Sequence, residues 1–130
     1  MTPENFDKLV ERRTELIKSV LKSKAGEYAT LGDRLHNFNR ASDMLGVTKE
    51  KALVGMWTKH IVSILDIVDS GATPRAEMLD EKIGDAINYL ILLEACYADR
   101  RTENLQELLR NRASAQAEHK PAFIIAKKKK

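Results

Sequence analysis

The stretch at 81–96, EKIGDAINYLILLEAC, constrains the fold more than any other part of the chain. Placed at about 100° per residue, its apolar residues cover one broad face and then extend around most of the helix. Glu81, Asp85 and Asn88 form a narrow polar stripe on the opposite side, at spacing i, i+4 and i+7. A helix that is apolar nearly all round is usually buried. We therefore expect this stripe to face a cleft or a partner helix, where a cation, a donor or a metal must satisfy it.

Composition and length are typical of one helical domain. The chain has 130 residues, 5% aromatic residues, 6 glycines and 3 prolines. The net charge of +3 depends on the final run Lys127–Lys130, so charge gives no argument for nucleic-acid binding. The single cysteine excludes an internal disulfide and fits a reducing cytoplasm. The N-terminus does not resemble a signal peptide, and no apolar run approaches the ~20 residues of a membrane span. We expect a cytoplasmic protein.

Capping residues and apolar spacing predict five helices. They cover about 3–24, 34–45, 49–69, 75–100 and 103–117. The expected N-caps are Thr2, Asp33, Thr48 and Thr102, and Gly46 suits the end of the second helix.

The sequence thus predicts an all-α fold, a four- to five-helix bundle in one domain over 1–118. A tail over 119–130 follows, with an apolar patch at 123–125 and the lysine run. We expect the apolar patch to dock on the domain or on a neighbouring subunit, and the protein to be a homo-oligomer.

The third helix repeats the plan of the fourth. Lys59, Ser63 and Asp66 align at i, i+4 and i+7 on an otherwise apolar helix. Two such helices packed antiparallel would bring both polar stripes into one pocket. One interpretation is a Mg²⁺ and phosphate site with carboxylate ligands. The other is a pair of solvated faces, or a structural salt bridge from the acids to Lys59 or Arg34.

The second helix adds polar candidates. Arg34 and Asn37, beside His36, are candidate phosphate or base contacts. His36 and His60 match no zinc motif, and we interpret them as packed histidines or ligand contacts rather than catalytic bases. The aromatic candidates for stacking on a nucleobase are Tyr28 and Trp57, of which Trp57 fits the core better. The chain has no glycine-rich phosphate loop, nucleophile elbow or Cys/His dyad.

Three blocks of sequence resemble a known family. They are GEYATLGDRLHNFNRA at 26–41, MWTKHIVSILDIV at 56–68 and EKIGDAINYLILLEA at 81–95. They resemble the phage and bacterial family called nucleotide modification associated domain. That family is similar to the MazG-like, all-α nucleoside triphosphate pyrophosphohydrolases. The resemblance implies a MazG-like oligomeric bundle with an acidic nucleotide pocket, often with Mg²⁺, and a host-cytoplasmic location if the chain is phage-encoded.

The resemblance also implies roles for individual residues. The matching positions are Glu81, Asp85, Asn88, Lys59, Ser63 and Asp66. In a hydrolase, Glu81 and Asp85, helped by Asp66, would hold Mg²⁺ and polarise a phosphate. Lys59 would stabilise the charge that develops on that phosphate, and Asn88 would orient the sugar or a ligand water.

The chain departs from the hydrolases at one motif. Their acidic EExxE motif is replaced here by RLHNFNRASDM, which carries Arg34, His36, Asn37 and Arg40. Lys82 also stands three residues before Asp85, where the hydrolases have an acid. Fewer carboxylates mean fewer metal ligands, whereas cationic and amide groups suit holding a phosphate.

The functional expectation is therefore a nucleotide-binding protein, with Mg²⁺-dependent phosphoanhydride hydrolysis left open. One alternative is a non-catalytic protein that sequesters a host cyclic-nucleotide defence signal. Another is an oligomeric scaffold without a small ligand. The expected partners are a nucleotide and further copies of the chain, not a membrane or a nucleic acid.

Overall fold

A computed structural model of the chain describes residues 1–28 and 32–118, with side chains described over 1–24 and 32–117. Every regular element in these ranges is an α-helix, which confirms the predicted all-α class. The helices are α1 Pro3–Tyr28, α2 His36–Leu45, α3 Lys49–Asp69 and α4 Ala76–Glu118. No helix in the described ranges is long and apolar enough to cross a membrane. The expectations for the Tyr28 side chain and for the tail over 119–130 lie outside the described residues.

Local capping explains where the helices begin and end. The Thr2 hydroxyl accepts the Asn5 N–H at 3.3 Å, and the Thr48 hydroxyl accepts the Lys51 N–H at 3.4 Å. Both N-caps are as predicted. Gly46 ends α2 in the left-handed conformation, at φ 62° and ψ 34°, which confirms its predicted place.

The start of α2 differs slightly from the prediction. The helix begins at His36, and its N-cap position is held by Leu35, which offers no side-chain cap. Asp33 acts from two residues further back. Its carboxylate accepts the Leu35 N–H at 2.8 Å and the Asn39 amide N–H at 3.0 Å. The aspartate therefore organises the turn before α2 rather than capping the helix itself.

The prediction of separate fourth and fifth helices is wrong, because α4 continues without a break from Ala76 to Glu118. Residues 99–102 contain neither glycine nor proline. The Thr102 hydroxyl donates to the Ala98 carbonyl at 3.2 Å, which is the bond of a helix-interior threonine rather than of an N-cap.

The chain divides into two compact units, Met1–Tyr97 and Ala98–Lys130. In the second unit, Leu105, Leu108 and Leu109 are exposed along α4. The expected boundary between domain and tail at 118 borders the undescribed residues and stays a prediction.

The core of the first unit is small. The buried apolar side chains among the described residues are Leu35, Phe38, Ala52, Leu53, Ala86 and Cys96. Among these described residues, Leu53 and Cys96 are completely enclosed, at 1% and 0% exposure. Leu35 and Phe38 point inward, whereas Leu45 and Val68 are exposed at the ends of their helices.

Two arginines tie α1 to α4. Arg12 donates to both carboxylate oxygens of Asp80, at 2.6 and 2.8 Å. Arg13 donates to the same carboxylate at 2.8 Å and to the Asp80 carbonyl at 3.0 Å. A Cβ at Gly84 would lie 3.2 Å from Arg13 Nη1, so the glycine leaves room for the guanidinium. The hydrogen bond from Arg12, together with the charges of both arginines, lowers the pKa of Asp80.

Candidate functional site

All four helices of the first unit contribute to a cavity of about 170 Å³. Its apolar walls come from Val20, Leu21, Phe38, Met56 and Leu92. Its polar lining comes from Lys24, Arg34, Asn37, Asp85, Asn88 and Tyr89. Small-molecule sites have this character, with mostly apolar walls and a few polar groups that fix orientation.

A second cavity of about 270 Å³ adjoins the first between α1 and α4. Val20, Lys24, Asp85 and Asn88 line both cavities. The second cavity adds the charged residues Arg13, Asp80 and Glu81. Asp85 and Asn88 therefore stand where a ligand in either space would meet them.

Asn88 is the polar residue of this region that is buried most deeply. Its side chain is 7% exposed, and its Oδ1 atom is buried without a hydrogen-bond partner. A buried polar atom left unsatisfied costs roughly 1–3 kcal/mol. Asn88 lines both cavities, but its Oδ1 has almost no accessible surface, so a donor from a ligand or a bound water would reach this acceptor only after the side chain turns.

His60 of α3 reaches across to Asp85 of α4. Its Nδ1 lies 3.4 Å from Asp85 Oδ2, and the two side chains are 13% and 27% exposed. Burial lowers the pKa of His60 and outweighs the opposing effect of the Asp85 charge, while nearby lysines, Lys59 first, lower it further. The imidazole is therefore neutral near pH 7. The other ring nitrogen, Nε2, is buried without a hydrogen-bond partner.

Aromatic contacts hold this part of the cavity together. The rings of His60 and Tyr89 lie 4.9 Å apart, tilted by 38°. Tyr89 in turn meets Phe38 edge to face at 6.4 Å. The Trp57 indole N–H donates to the Ala86 carbonyl at 3.2 Å, which adds a second link between α3 and α4. These contacts fix the wall that carries Asp85 and Asn88.

The predicted stripe on α4 does face a cavity. Glu81, Asp85 and Asn88 all line the second cavity. The second cavity lies between α4 and α1, while α3 meets the stripe through His60 at Asp85. Glu81 stays largely exposed and is bonded to Lys82 at 2.7 Å, and that bond lowers the pKa of Glu81.

The other predicted stripe, on α3, does not enter the site. Lys59 and Asp66 are exposed, and the Ser63 hydroxyl donates to the Lys59 carbonyl at 3.0 Å. Neither described cavity is lined by any of the three. The reason is the rotation of α3, because Met56 and His60, one turn apart, face the cavity side instead. The structure therefore brings the two helices together but not the two predicted stripes.

Some of the polar candidates from the second helix line a cavity and one does not. Arg34 and Asn37 line the first cavity, and their role as phosphate or base contacts stays a prediction. Arg34 also donates to the Leu21 carbonyl at 3.4 Å, so α1 helps to position it. His36 lines neither described cavity.

A metal site is not assembled in the described part of the chain. No group of three or more histidine, cysteine, aspartate or glutamate side chains there is placed to hold a metal ion. Of the predicted Mg²⁺ ligands, Asp85 pairs with His60, Glu81 pairs with Lys82, and Asp66 lies outside both cavities. Dependence on Mg²⁺ stays a prediction.

Sequence reasoning missed the contribution of α1. Lys24 lines both cavities together with Val20, from the turn below it. The signal was present, since Val20 belongs to the apolar face of α1 and Lys24 follows at i+4 on the same side. Tyr89 was also missed, although it stands next to Asn88.

Compared with family models, curated proteins and solved structures, the chain matches none of them. The resemblance to the nucleotide modification associated domain therefore stays a prediction, and the functional argument depends on the geometry of the cavities.

Proposed function

We propose that the chain binds a nucleotide, with the base in the first cavity and the phosphates at its Lys24 and Arg34 side. The observation that carries this proposal is the buried Asn88 amide, whose Oδ1 has no partner on the cavity wall. Nucleobases offer N–H donors at the edge of a flat, largely apolar ring. Such a ligand would satisfy the amide once the Asn88 side chain turns towards the cavity, and it would cover the apolar walls at the same time.

The size of the cavity supports a base rather than a whole nucleotide inside it. Drug-sized ligands occupy pockets of about 300–1,000 Å³. The first cavity is smaller, about 170 Å³, and its walls include Phe38, Met56 and Tyr89. A planar ring would pack against these side chains, and the rest of the ligand would extend towards the second cavity.

Cationic side chains suit the phosphates. Lys24 lines both cavities, and Arg34 stands partly buried at the edge of the first. An arginine binds phosphate oxygens through two parallel N–H bonds, and a lysine acts as a mobile point charge. The two side chains together supply positive charge on the side where sugar and phosphate would leave the cavity.

The contacts of the two carboxylates proposed for catalysis favour binding over hydrolysis. Asp85 lies beside the neutral imidazole of His60, and Glu81 forms an ion pair with Lys82. Lys59, the proposed charge stabiliser, lines neither cavity. Mg²⁺-dependent hydrolysis remains the competing proposal. Sequestration of a cyclic nucleotide is a particular form of binding without hydrolysis.

Thermal unfolding with a panel of ligands tests binding. The panel contains ribonucleoside and deoxyribonucleoside triphosphates and cyclic nucleotides, with and without Mg²⁺. A ligand that binds only the folded chain raises its melting temperature. Absence of any rise across the panel contradicts nucleotide binding and favours the scaffold interpretation.

The site is tested with paired lysine variants. Lys24→Ala removes the cation that lines both cavities, whereas Lys22→Ala removes an exposed lysine two residues earlier on α1. We expect Lys24→Ala to weaken binding roughly 10-fold or more, since a charge-assisted bond is worth ~1.5–3 kcal/mol. Lys22→Ala leaves the affinity unchanged. Equal losses in both variants would show that only general charge matters.

Mass spectrometry of the released ligand separates binding from hydrolysis. The complex is heated after incubation with Mg²⁺, and the ligand is recovered from the supernatant. Intact nucleotide supports binding alone, while cleaved product supports a hydrolase that uses Glu81 and Asp85.

The expected oligomer and MazG-like bundle belong to the same proposal. The small core of the first unit, with only Leu53 and Cys96 fully enclosed among the described residues, supports self-association. Units of this size bury a limited share of their surface, and association with further copies adds to it.

A further inference from the structure

The outer face of α3 carries an exposed apolar stripe. Val54, Val62, Leu65 and Val68 are 40%, 49%, 53% and 68% exposed. At about 100° per residue these side chains fall on one side of the helix, together with Thr58. Leu53 and His60 lie on the opposite side, towards the core. Contiguous apolar side chains on the outside of a helix mark a surface that contacts another molecule.

Gly55, beside this stripe, has no explanation among the described residues. A glycine in the middle of a helix costs roughly 0.5–1 kcal/mol relative to alanine. Unlike some other described glycines, Gly55 does not have a positive φ, the backbone conformation that favours glycine. A Cβ built there would meet nothing within 4 Å in the described part of the chain, so no described neighbour requires the glycine. A glycine at this point leaves room for a second molecule to approach the helix closely.

Charges at the two ends of the stripe indicate which molecule that is. Lys51 and Asp69 are eighteen residues apart, which is five helical turns, so both lie on the same side of α3. A second α3 in antiparallel orientation places Lys51 against Asp69 of the partner subunit at both ends. A parallel pair would instead place like charges together.

We infer that α3 pairs with α3 of a second copy, antiparallel about a two-fold axis near residue 60. In this register Leu65 covers Gly55 of the partner subunit, and Val62 packs on Thr58 of the partner subunit. The interface is self-complementary, as a two-fold dimer requires. The inference does not depend on the proposed nucleotide site, because the stripe and the cavities use different faces of α3.

Sedimentation equilibrium tests the pairing. The expected mass is twice the chain mass of 14.7 kDa. Lys51→Asp and Asp69→Lys each weaken the dimer by about tenfold or more, and the double variant restores it, because only the antiparallel register exchanges these two partners. A single-chain mass at every concentration overturns the pairing. So does a dimer that neither single variant weakens.

Gly55→Leu provides a second, steric test. Leucine favours the helix, so the variant folds, but the dimer is lost because the added side chain blocks Leu65 of the partner subunit. Ala113→Leu, on an exposed part of α4, is the matched control and keeps the dimer. Retention of the dimer in Gly55→Leu overturns the register. Loss of the dimer on removal of residues 119–130, with the charge variants unaffected, overturns the pairing in favour of the tail.

Discussion

Replacing Asn88 with leucine separates stability from binding. Leucine is close to asparagine in shape but carries no polar atoms. The Oδ1 atom of Asn88 is buried without a partner, and the residue is 7% exposed beside two cavities. The substitution therefore removes an unsatisfied acceptor and adds apolar surface next to space that accommodates it.

The size of the effect follows from the burial. An unsatisfied buried acceptor costs about 1–3 kcal/mol, so Asn88→Leu raises the free energy of unfolding by about that amount in the absence of ligand. The ligand loses its hydrogen bond to the amide, and its affinity falls by roughly 10-fold. A variant that is more stable and binds more weakly is the expected outcome.

Urea unfolding at a fixed protein concentration measures the first quantity, and titration with the nucleotide that stabilises the wild type measures the second. Asn88→Asp serves as the matched comparison. It keeps the shape but places a carboxylate in the same buried position, so it destabilises the fold and repels a phosphate. A leucine variant that is less stable than the wild type would refute the claim that Oδ1 lacks a partner. Unchanged affinity would refute the claim that Asn88 contacts the ligand.

Three further variants test the framework of the site. Leu53→Ala, at a position 1% exposed, lowers the free energy of unfolding by about 2–5 kcal/mol in urea titrations. His60→Gln removes a pH dependence: burial lowers the pKa of His60 below its unfolded value of 6.5, so wild-type stability falls as the pH drops below 6.5 and levels off below the folded pKa. Thermal melts from pH 8 to 5 show that slope in the wild type and a weaker one in the variant. Asp80→Asn lowers the urea midpoint at pH 7, and the difference from wild type shrinks as the pH falls through the lowered pKa of Asp80. An Asp80→Asn midpoint equal to wild type at pH 7 would show that the arginine contacts do not stabilise the fold.

Local signals in the sequence were sufficient for the class and for most helix ends. Thr2, Thr48 and Gly46 act where capping chemistry places them. The continuity of α4 was missed because threonine at 102 serves equally as an N-cap or as an interior residue bonded to the previous turn. The choice between these depends on the chain on either side of the threonine, which sequence spacing does not resolve.

The α4 side of the candidate site was predictable from the sequence, but the way other helices pack against it was not. The stripe of Glu81, Asp85 and Asn88 was correctly expected to face a cleft. The expected meeting of the two polar stripes was wrong, because a period of 3.6 residues describes each helix alone and leaves its rotation against a neighbour undetermined. The ring contact between His60 and Tyr89 and the apolar packing of the core set that rotation. As a result, α1 supplies Lys24 to the two cavities, while the polar stripe at 59–66 lies outside them.

The bond from the Trp57 indole to the Ala86 carbonyl gives the molecule an optical reporter of its own. Trp57 is the only tryptophan in the chain, so intrinsic fluorescence arises from a single, known position. The carbonyl that it contacts, that of Ala86, lies two residues along α4 from Asn88. Emission wavelength and quenching therefore register movement between α3 and α4 without any attached dye.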